Sequence, residues 1–182
     1  MRSKLAGFTL VEVLVALAVI VVLGALIVPG IIATVDRSRI DGAEDSLDAI
    51  GDAIDLFADQ VGEYPASLTQ LVVPITGTDT DICGATYNAG EQNRWSGPYL
   101  DRALSAGGVP VGVGTVDNAF GVLTDPSGID YLQVVIQSVL PEDAAALDRR
   151  IDDSDGQGAG AFRWVDAGDY VTAYYLIPFP DC

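Results

Sequence analysis

Nearly all side chains in this sequence that are able to carry out chemistry are carboxylates. The 182 residues include 26 Asp and Glu, 9 Lys and Arg, 2 Cys and no His, for a formal charge of −17. The commonest general base and zinc ligand is therefore missing, and two cysteines are too few for a zinc cage or an iron–sulfur cluster. So negative a chain repels phosphate backbones. No spacing singles out a catalytic pair of carboxylates, so we expect neither enzymatic activity nor a nucleic acid partner.

One acidic segment has the composition of a cation site. Asp152, Asp153 and Asp155 stand among Ser and Gly in residues 152–158. Calcium is bound by hard oxygen ligands of this kind, with flexible geometry. The spacing does not follow an EF-hand, because position 157 is Gln rather than an acid. Two interpretations stay open: a calcium site at these three aspartates, or a solvated loop of Asx turns. We expect no other cofactor.

Another carboxylate stands inside the most apolar part of the chain. Residues 8–35 carry a single charge, Glu12, and the 23 residues from Val13 to Val35 carry none. An α-helix of that length crosses a hydrocarbon core of about 30 Å. A charge within such a span costs about 2.5–3.5 kcal/mol on insertion scales, so its presence indicates a partner. The alternative is that Glu12 reaches the membrane interface from its place near the helix end.

The residues before the apolar run set its orientation. Arg2 and Lys4 precede it without any acid, which keeps that end in the cytoplasm and places the rest of the chain across the membrane. A secretory signal peptide has a shorter apolar region and a small-residue cleavage site, which is missing before Pro29. Both Cys83 and Cys182 then lie outside the cytoplasm, where a disulfide between them is expected. Two free thiols are the alternative.

Past the membrane run, the apolar spacing predicts an amphipathic helix packed on a sheet, with a coiled coil as the alternative. Pro29 and Gly30 lie inside the helical pattern and predict a kink or local melting. Gly62 and Pro65 predict its end. Steps of three and four residues separate the members of one apolar stripe: Ile40, Ala43, Leu47, Ile50, Ile54, Phe57 and Val61.

The rest of the chain is rich in turns and short apolar segments. We predict an extended entry followed by a short helical turn within residues 64–71, a long loop over 74–97, and a short helix that Pro141 opens and Arg150 closes. Candidate strands cover residues 119–123, 131–139, 161–165 and 170–177. A long helix followed by an antiparallel sheet gives an α+β fold.

The N-terminal residues carry a resemblance to a known family. Gly7-Phe8-Thr9-Leu10-Val11-Glu12 resembles the prepilin cleavage and methylation motif of type IV pilins and type II secretion pseudopilins. In that family a prepilin peptidase cuts after the glycine and N-methylates the new first residue. By resemblance the cut falls between Gly7 and Phe8, which leaves 175 residues with a formal side-chain charge of −19. Further along, Trp95-Ser96-Gly97-Pro98-Tyr99-Leu100 is similar to the W-x-GPYL segment of major pseudopilins.

The resemblance implies a pilin-like fold in four parts. These are a leader peptide (1–7), a transmembrane and filament-core helix (8–35), an amphipathic helix (36–62) and a globular head (63–182). It implies a homo-oligomer in a helical filament, with prepilin peptidase, an inner-membrane assembly platform and membrane lipid as partners. In such a filament Glu12 pairs with the amine of Phe8 in a neighbouring subunit, which favours one axial offset.

Three functions and two locations follow from these implications. The first is a surface filament for adhesion or motility, favoured by the chain length and the C-terminal disulfide. The second is a major pseudopilin that drives protein export, favoured by the W-x-GPYL segment. The third is a membrane-anchored monomeric binding protein. Before assembly the chain is a single-pass inner-membrane protein with a cytoplasmic N-terminus, and afterwards part of an extracellular pilus or a periplasmic pseudopilus.

Overall fold

A computed structural model describes residues 8–105, 107–166 and 168–180, apart from the side chains of residues 26–33. The predicted leader, residues 1–7, lies outside the described residues. Helix α1 (Leu10–Val61) ends before Gly62, as predicted. Gly62 adopts φ +94°, a conformation that favours glycine at helix ends. The helix continues through Pro29 and Gly30 without a break, so local melting is absent there, and the kink stays a prediction.

Within the described part of the chain, no helical segment is both long and apolar enough to cross a membrane. The span predicted over residues 8–35 includes residues 26–33, whose side chains lie outside the description.

The predicted apolar stripe of α1 is confirmed at every position. Its seven members, from Ile40 to Val61, have exposed fractions of 8% or less. They belong to one core cluster with residues of the sheet, such as Leu132 and Ile136. The opposite face of the helix is acidic and exposed, with aspartates at positions 41, 45, 48, 52, 55 and 59. The stripe therefore packs on a sheet and leaves the acids in solvent.

Shorter elements follow α1 in the described residues. The helices are α2 (Leu68–Val72), α3 (Ala89–Arg94) and α4 (Pro141–Ile151). The strands are β1 (Val109–Pro110), β2 (Thr115–Val116), β3 (Gly121–Thr124), β4 (Asp130–Val139), β5 (Phe162–Asp166) and β6 (Val171–Pro178). The four predicted strands correspond to β3, β4, β5 and β6, with ends shifted by no more than two residues.

The strands form one antiparallel sheet around β4. Their order is β1-β2-β4-β6-β5, and β3 pairs with β4 on a separate stretch of that strand. In the central pair Leu132 lies opposite Ile177, and the register shifts between Ile136 and Val139. Ser138, inside that shift, adopts φ 60°. Such an irregularity bends a strand locally without ending its pairing.

The chain divides into two compact units, Met1–Ser38 and Arg39–Cys182. The second unit contains the core, to which α4 contributes the fully buried Ala144 and Leu147. The Arg39 guanidinium, near the start of this unit, pairs with the buried Asp143 carboxylate of α4 at 2.7 Å. A long helix packed on an antiparallel sheet is the α+β, pilin-like arrangement that the sequence predicted.

Two regions differ from the prediction. The stretch 74–97, expected to be a loop, contains α3, which begins with a capping box: the Asn88 side chain accepts from the Glu91 N–H, and the Glu91 carboxylate accepts from the Asn88 N–H. The Gly- and Val-rich stretch after residue 106 contains β1 and β2, where no strand was predicted. Each has two residues and is defined by its pairing rather than by its own pattern.

Candidate functional site

Reciprocal hydrogen bonds between Thr9 and Glu12 close the first turn of α1. The Thr9 N–H and hydroxyl each donate to Glu12 Oε2 at 3.0 Å, and the Glu12 N–H donates to the Thr9 hydroxyl oxygen at 3.2 Å. This is a capping box, which satisfies N–H groups that have no partner inside the helix. The T-x-x-E spacing that produces it is visible in the sequence, and sequence reasoning missed it.

The capping box gives the Glu12 carboxylate a partner within its own chain. The position of this charge in an apolar span predicted a partner, and Thr9 is one. An ionised carboxylate accepts several hydrogen bonds, so capping is compatible with a second, cationic partner. Pairing with the amine of Phe8 in another copy therefore stays a prediction. Gly7, on the other side of the predicted cut, lies outside the described residues.

The helix turns after the cap have an exposed apolar surface. Every residue from Phe8 to Leu23 is exposed, with Phe8 at 86% and Leu10 at 76%. Contiguous apolar surface of this extent marks a site for lipid or for another protein chain. We call residues 10–23 of α1, together with Phe8 and Thr9 directly before it, the apolar surface of α1.

The segment similar to W-x-GPYL has a structural role. The Trp95 indole N–H donates to Gln70 O at 2.8 Å, and the Tyr99 N–H donates to Leu71 O at 2.7 Å. The Tyr99 hydroxyl donates to Gln60 Oε1 at 3.1 Å. These bonds attach α2 to the last turn of α1, so the segment positions elements of the head rather than forming a reactive site.

Close ring packing explains the glycine in this segment. Tyr99 lies 5.5 Å from Phe57 and 5.6 Å from Trp95 between ring centroids, in both cases edge to face. A Cβ added to Gly97 would lie 2.7 Å from a Trp95 ring carbon and 2.9 Å from a Tyr99 ring carbon. Only hydrogen fits there, because a Cβ would overlap both rings.

Cys83 takes part in a disulfide bond. It lies in an exposed turn. The N–H of the preceding residue, Ile82, donates to Tyr64 O at 3.0 Å. Cys182, its predicted partner, lies outside the described residues, so the pairing of these two cysteines stays a prediction.

Three aspartates meet between the end of α4 and the start of β5. One carboxylate oxygen from each of Asp148, Asp152 and Asp155 lies within 4.8 Å of the other two. We call these three residues the aspartate cluster. Asp153, which the sequence prediction included, is exposed, adopts φ 54° and does not belong to this cluster. Asp148, which the prediction omitted, lies on the buried face of α4.

The electrostatics of the aspartate cluster are unfavourable. Asp148 is 4% exposed, and within the described residues its Oδ1 has no hydrogen-bond partner. Asp152 Oδ2 accepts from the Phe162 N–H at 2.5 Å. Desolvation, followed by the charges of Asp152 and Asp148, raises the pKa of Asp155. The Arg163 guanidinium acts in the opposite direction and offsets part of the repulsion.

A glycine closes one side of the cluster. Gly160 adopts φ +69°, and a Cβ there would lie 2.5 Å from carboxylate oxygens of both Asp152 and Asp155. The backbone therefore lies so close to the carboxylates that only glycine fits at this position. Carboxylate oxygens around a small cradle are the donor set that hard divalent cations such as calcium prefer, so these residues fit that ion.

The N-terminal motif and the α+β head are similar to those of pilin-like proteins. The sequence matches the family described as "Prokaryotic N-terminal methylation motif" over residues 2–28. It is also similar to Type II secretion system core protein G of Pseudomonas aeruginosa, with 32% identity over 79 residues, 42% of this chain and 56% of that protein. The chain thus spans little more than half the length of this relative. No solved structure matches the chain. Over these residues the chain is similar to type IV pilins and type II secretion pseudopilins.

Proposed function

We propose that this chain is the structural subunit of a type IV pilus-like filament at the cell surface. The observation that carries the proposal is the exposed apolar surface of α1, which begins directly after the predicted cleavage point. A cut between Gly7 and Phe8 removes only the basic leader and leaves this surface on the mature chain. Lipid covers it in the inner membrane, and the same surface of neighbouring copies covers it in the filament.

The chain reaches the filament through the inner membrane. Residues 8–35 hold it there as a single-pass protein, with the basic leader in the cytoplasm and the head on the far side. Prepilin peptidase then removes the leader and methylates the amine of Phe8. The assembly platform extracts the processed chain and adds it to a helical homo-oligomer.

Glu12 guides each addition to the filament. The capping bonds from Thr9 hold its carboxylate in the first turn, four residues from Phe8, where cleavage creates a cationic amine. In the apolar filament core, a carboxylate and an amine from different copies attract more strongly than they do in water. This attraction favours one axial offset between neighbouring helices.

A second candidate function is a major pseudopilin of a type II secretion system. The similarity to core protein G of Pseudomonas aeruginosa and the segment from Trp95 to Leu100 favour it. The two functions share the helix, the processing step and the assembly chemistry. They differ in whether the filament extends beyond the cell or stays in the periplasm and drives protein export.

Negative-stain microscopy of material sheared from cells tests both candidates. Ordered filaments that bind an antibody against the head support the surface pilus. A lack of such filaments, together with failed protein export in a strain without this chain, supports the pseudopilin. A chain that stays monomeric in the membrane while export proceeds normally contradicts both, and supports an anchored binding protein.

A further inference from the structure

A cavity of about 340 Å³ opens at the irregular end of strand β4. Ligand pockets in proteins have volumes of about 300–1,000 Å³, so this cavity has room for a small molecule. Its lining shares no residue with the apolar surface of α1 or with the aspartate cluster. Six residues line it: Gln137, Ser138, Asp169, Tyr170, Val171 and Thr172.

A β-bulge forms one wall of this cavity. The register of β4 against β6 shifts so that two residues of β4, Gln137 and Ser138, lie opposite the single residue Thr172. Ser138 is exposed and adopts φ 60°, which is uncommon for a residue other than glycine. Bulges and residues in this conformation concentrate at functional sites, where they redirect side chains. The irregularity of β4 therefore places polar side chains at the cavity.

Two hydrogen bonds fix the Gln137 amide in the cavity wall. Its Nε2 donates to Asp117 Oδ2 at 2.9 Å, and its Oε1 accepts from the Thr172 hydroxyl at 3.3 Å. Each of these two amide atoms can form a further hydrogen bond, since an amide has two N–H donors and an oxygen with two lone pairs. The amide is held in one orientation before a ligand binds, which lowers the entropy cost of binding.

An exposed aromatic ring borders the cavity. Tyr170 is 53% exposed and lies with Asp169 in the turn between β5 and β6. The ring is not part of the core cluster, so the packing of the head does not explain it. The face of an aromatic ring is apolar and slightly negative, and it packs well against C–H groups. The cavity thus combines a flat apolar surface with an amide, hydroxyl groups and one carboxylate.

We infer that this cavity binds one unit of a neutral carbohydrate. A sugar ring has an apolar face of C–H groups and a rim of hydroxyl groups, and the cavity offers a counterpart to both. Tyr170 stacks on the sugar ring, while Gln137 and Thr172 exchange hydrogen bonds with its hydroxyl groups and Asp169 accepts from them. The Asp169 carboxylate and the formal charge of −17 on the chain disfavour anionic sugars. The site lies within the head and does not depend on the proposed filament function.

Saturation-transfer nuclear magnetic resonance on the full chain tests the site in deuterated dodecylphosphocholine, a detergent without a sugar headgroup. The probes are lactose, maltose and diacetylchitobiose, with sialyllactose as the anionic counterpart of lactose. We expect saturation transfer to at least one neutral disaccharide and none to sialyllactose. Tyr170→Ala should weaken binding of that disaccharide at least about tenfold, whereas Tyr170→Phe keeps the ring and should bind within about threefold of the wild type.

Tyr131→Ala is the matched control for Tyr170→Ala. Tyr131 lies on β4 six residues before Gln137, which is about 20 Å away at about 3.4 Å per residue and beyond the reach of a bound disaccharide. This variant should bind the disaccharide as the wild type does. Because Tyr170 is exposed, its replacement should leave the melting temperature of the head unchanged, so that a loss of binding does not report unfolding.

Three results would overturn the inference. One is a wild-type chain that binds none of the neutral probes; if Tyr170→Ala then also fails to assemble into filaments, the cavity is a contact between copies instead. Another is equal binding by Tyr170→Ala and the wild type, which places the sugar elsewhere on the chain. The third is saturation transfer to sialyllactose as strong as to lactose. Each of them leaves the filament proposal standing, because sugar binding involves no assembly.

Discussion

Glu12 combines two roles that substitutions can separate. Its carboxylate caps its own helix through Thr9, and in the proposed filament it also pairs with the amine of a neighbouring copy. Alanine removes both interactions, whereas glutamine keeps an oxygen that accepts the Thr9 hydrogen bonds and removes the charge. The two variants therefore distinguish helix capping from charge pairing.

We expect Glu12→Ala to insert into the membrane as well as the wild type, because the span becomes more apolar, and to assemble poorly. Glu12→Gln should insert normally and assemble as poorly as Glu12→Ala. The measurement is the amount of chain in sheared filaments relative to the amount in the membrane fraction. Wild-type assembly of Glu12→Ala would remove any role for this carboxylate. Wild-type assembly of Glu12→Gln alone would assign the role to capping.

At the same scale, the sequence predicted part of the aspartate cluster. Asp152 and Asp155 stand out because a short loop concentrates acids among glycines. Asp148 was missed because a helical acid is usually solvated, although its spacing of four residues from Asp152 places both on one face of a helix. Asp153 was included on composition, but its backbone conformation turns it out of the group. The packing of the folded head decides which of several neighbouring acids face each other.

Among the secondary structure elements, those with a long apolar pattern in the sequence were predicted most accurately. Helix α1 and strands β4 and β6 carry periods that extend over eight residues or more, and their ends were predicted within two residues. Strands β1 and β2 are two residues long: β2 pairs with β4 at Ile136 and Gln137, and β1 pairs with β2. Such strands have no pattern of their own. Helix α3 did have a signal, the capping box from Asn88 to Glu91.

The last carbonyl groups of α1 accept hydrogen bonds from a residue that is far away in the sequence. The last turn of α1 contains no basic residue. Arg94, at the end of α3, supplies the cation instead: its Nε donates to Val61 O at 2.9 Å and to Gln60 O at 3.2 Å, and its Nη2 also donates to Val61 O. Cations at this end satisfy the last carbonyl groups and complement the helix dipole.

We expect Arg94→Ala to lower the free energy of unfolding of the head by about 1 kcal/mol, because these carbonyl groups lose a charged donor. Arg149→Ala, at an exposed position on α4, is the control and should change it by less than about 0.5 kcal/mol. Both tryptophans, Trp95 and Trp164, lie in the head, so urea unfolding followed by their fluorescence reports on it selectively. Equal unfolding midpoints for the two variants would contradict this role of Arg94.

For the whole molecule, uneven charge is the dominant property. Acids outnumber bases by 26 to 9, and cleavage of the leader removes two of those bases. Asp48, Asp52 and Asp55 line a cavity of about 440 Å³ against Tyr175. Burial, and after it the charges of these aspartates, raises the pKa of that tyrosine. Repulsion among like charges opposes both the compact head and the approach of further copies.

We therefore expect the head to become more stable as sodium chloride rises, since the screening length falls from about 8 Å at about 0.15 M to about 3 Å at about 1 M. Tryptophan fluorescence on heating measures the melting temperature, which should rise equally in potassium chloride. Replacing Asp48, Asp52 and Asp55 together with asparagine should reduce the dependence on salt. A melting temperature of the wild-type chain that stays constant or falls with salt would contradict this account.

The central claim is that this chain is a processed prepilin, and the intact mass of chains recovered from sheared filaments or membranes tests it most directly. We predict a chain that begins at Phe8 and carries one methyl group. Lys4 is the only lysine in the sequence, so the mature chain has no unmodified primary amine, and a reagent specific for primary amines should label the precursor but not the mature form. A mature chain that begins at Met1, or anywhere after Pro29, would contradict the account.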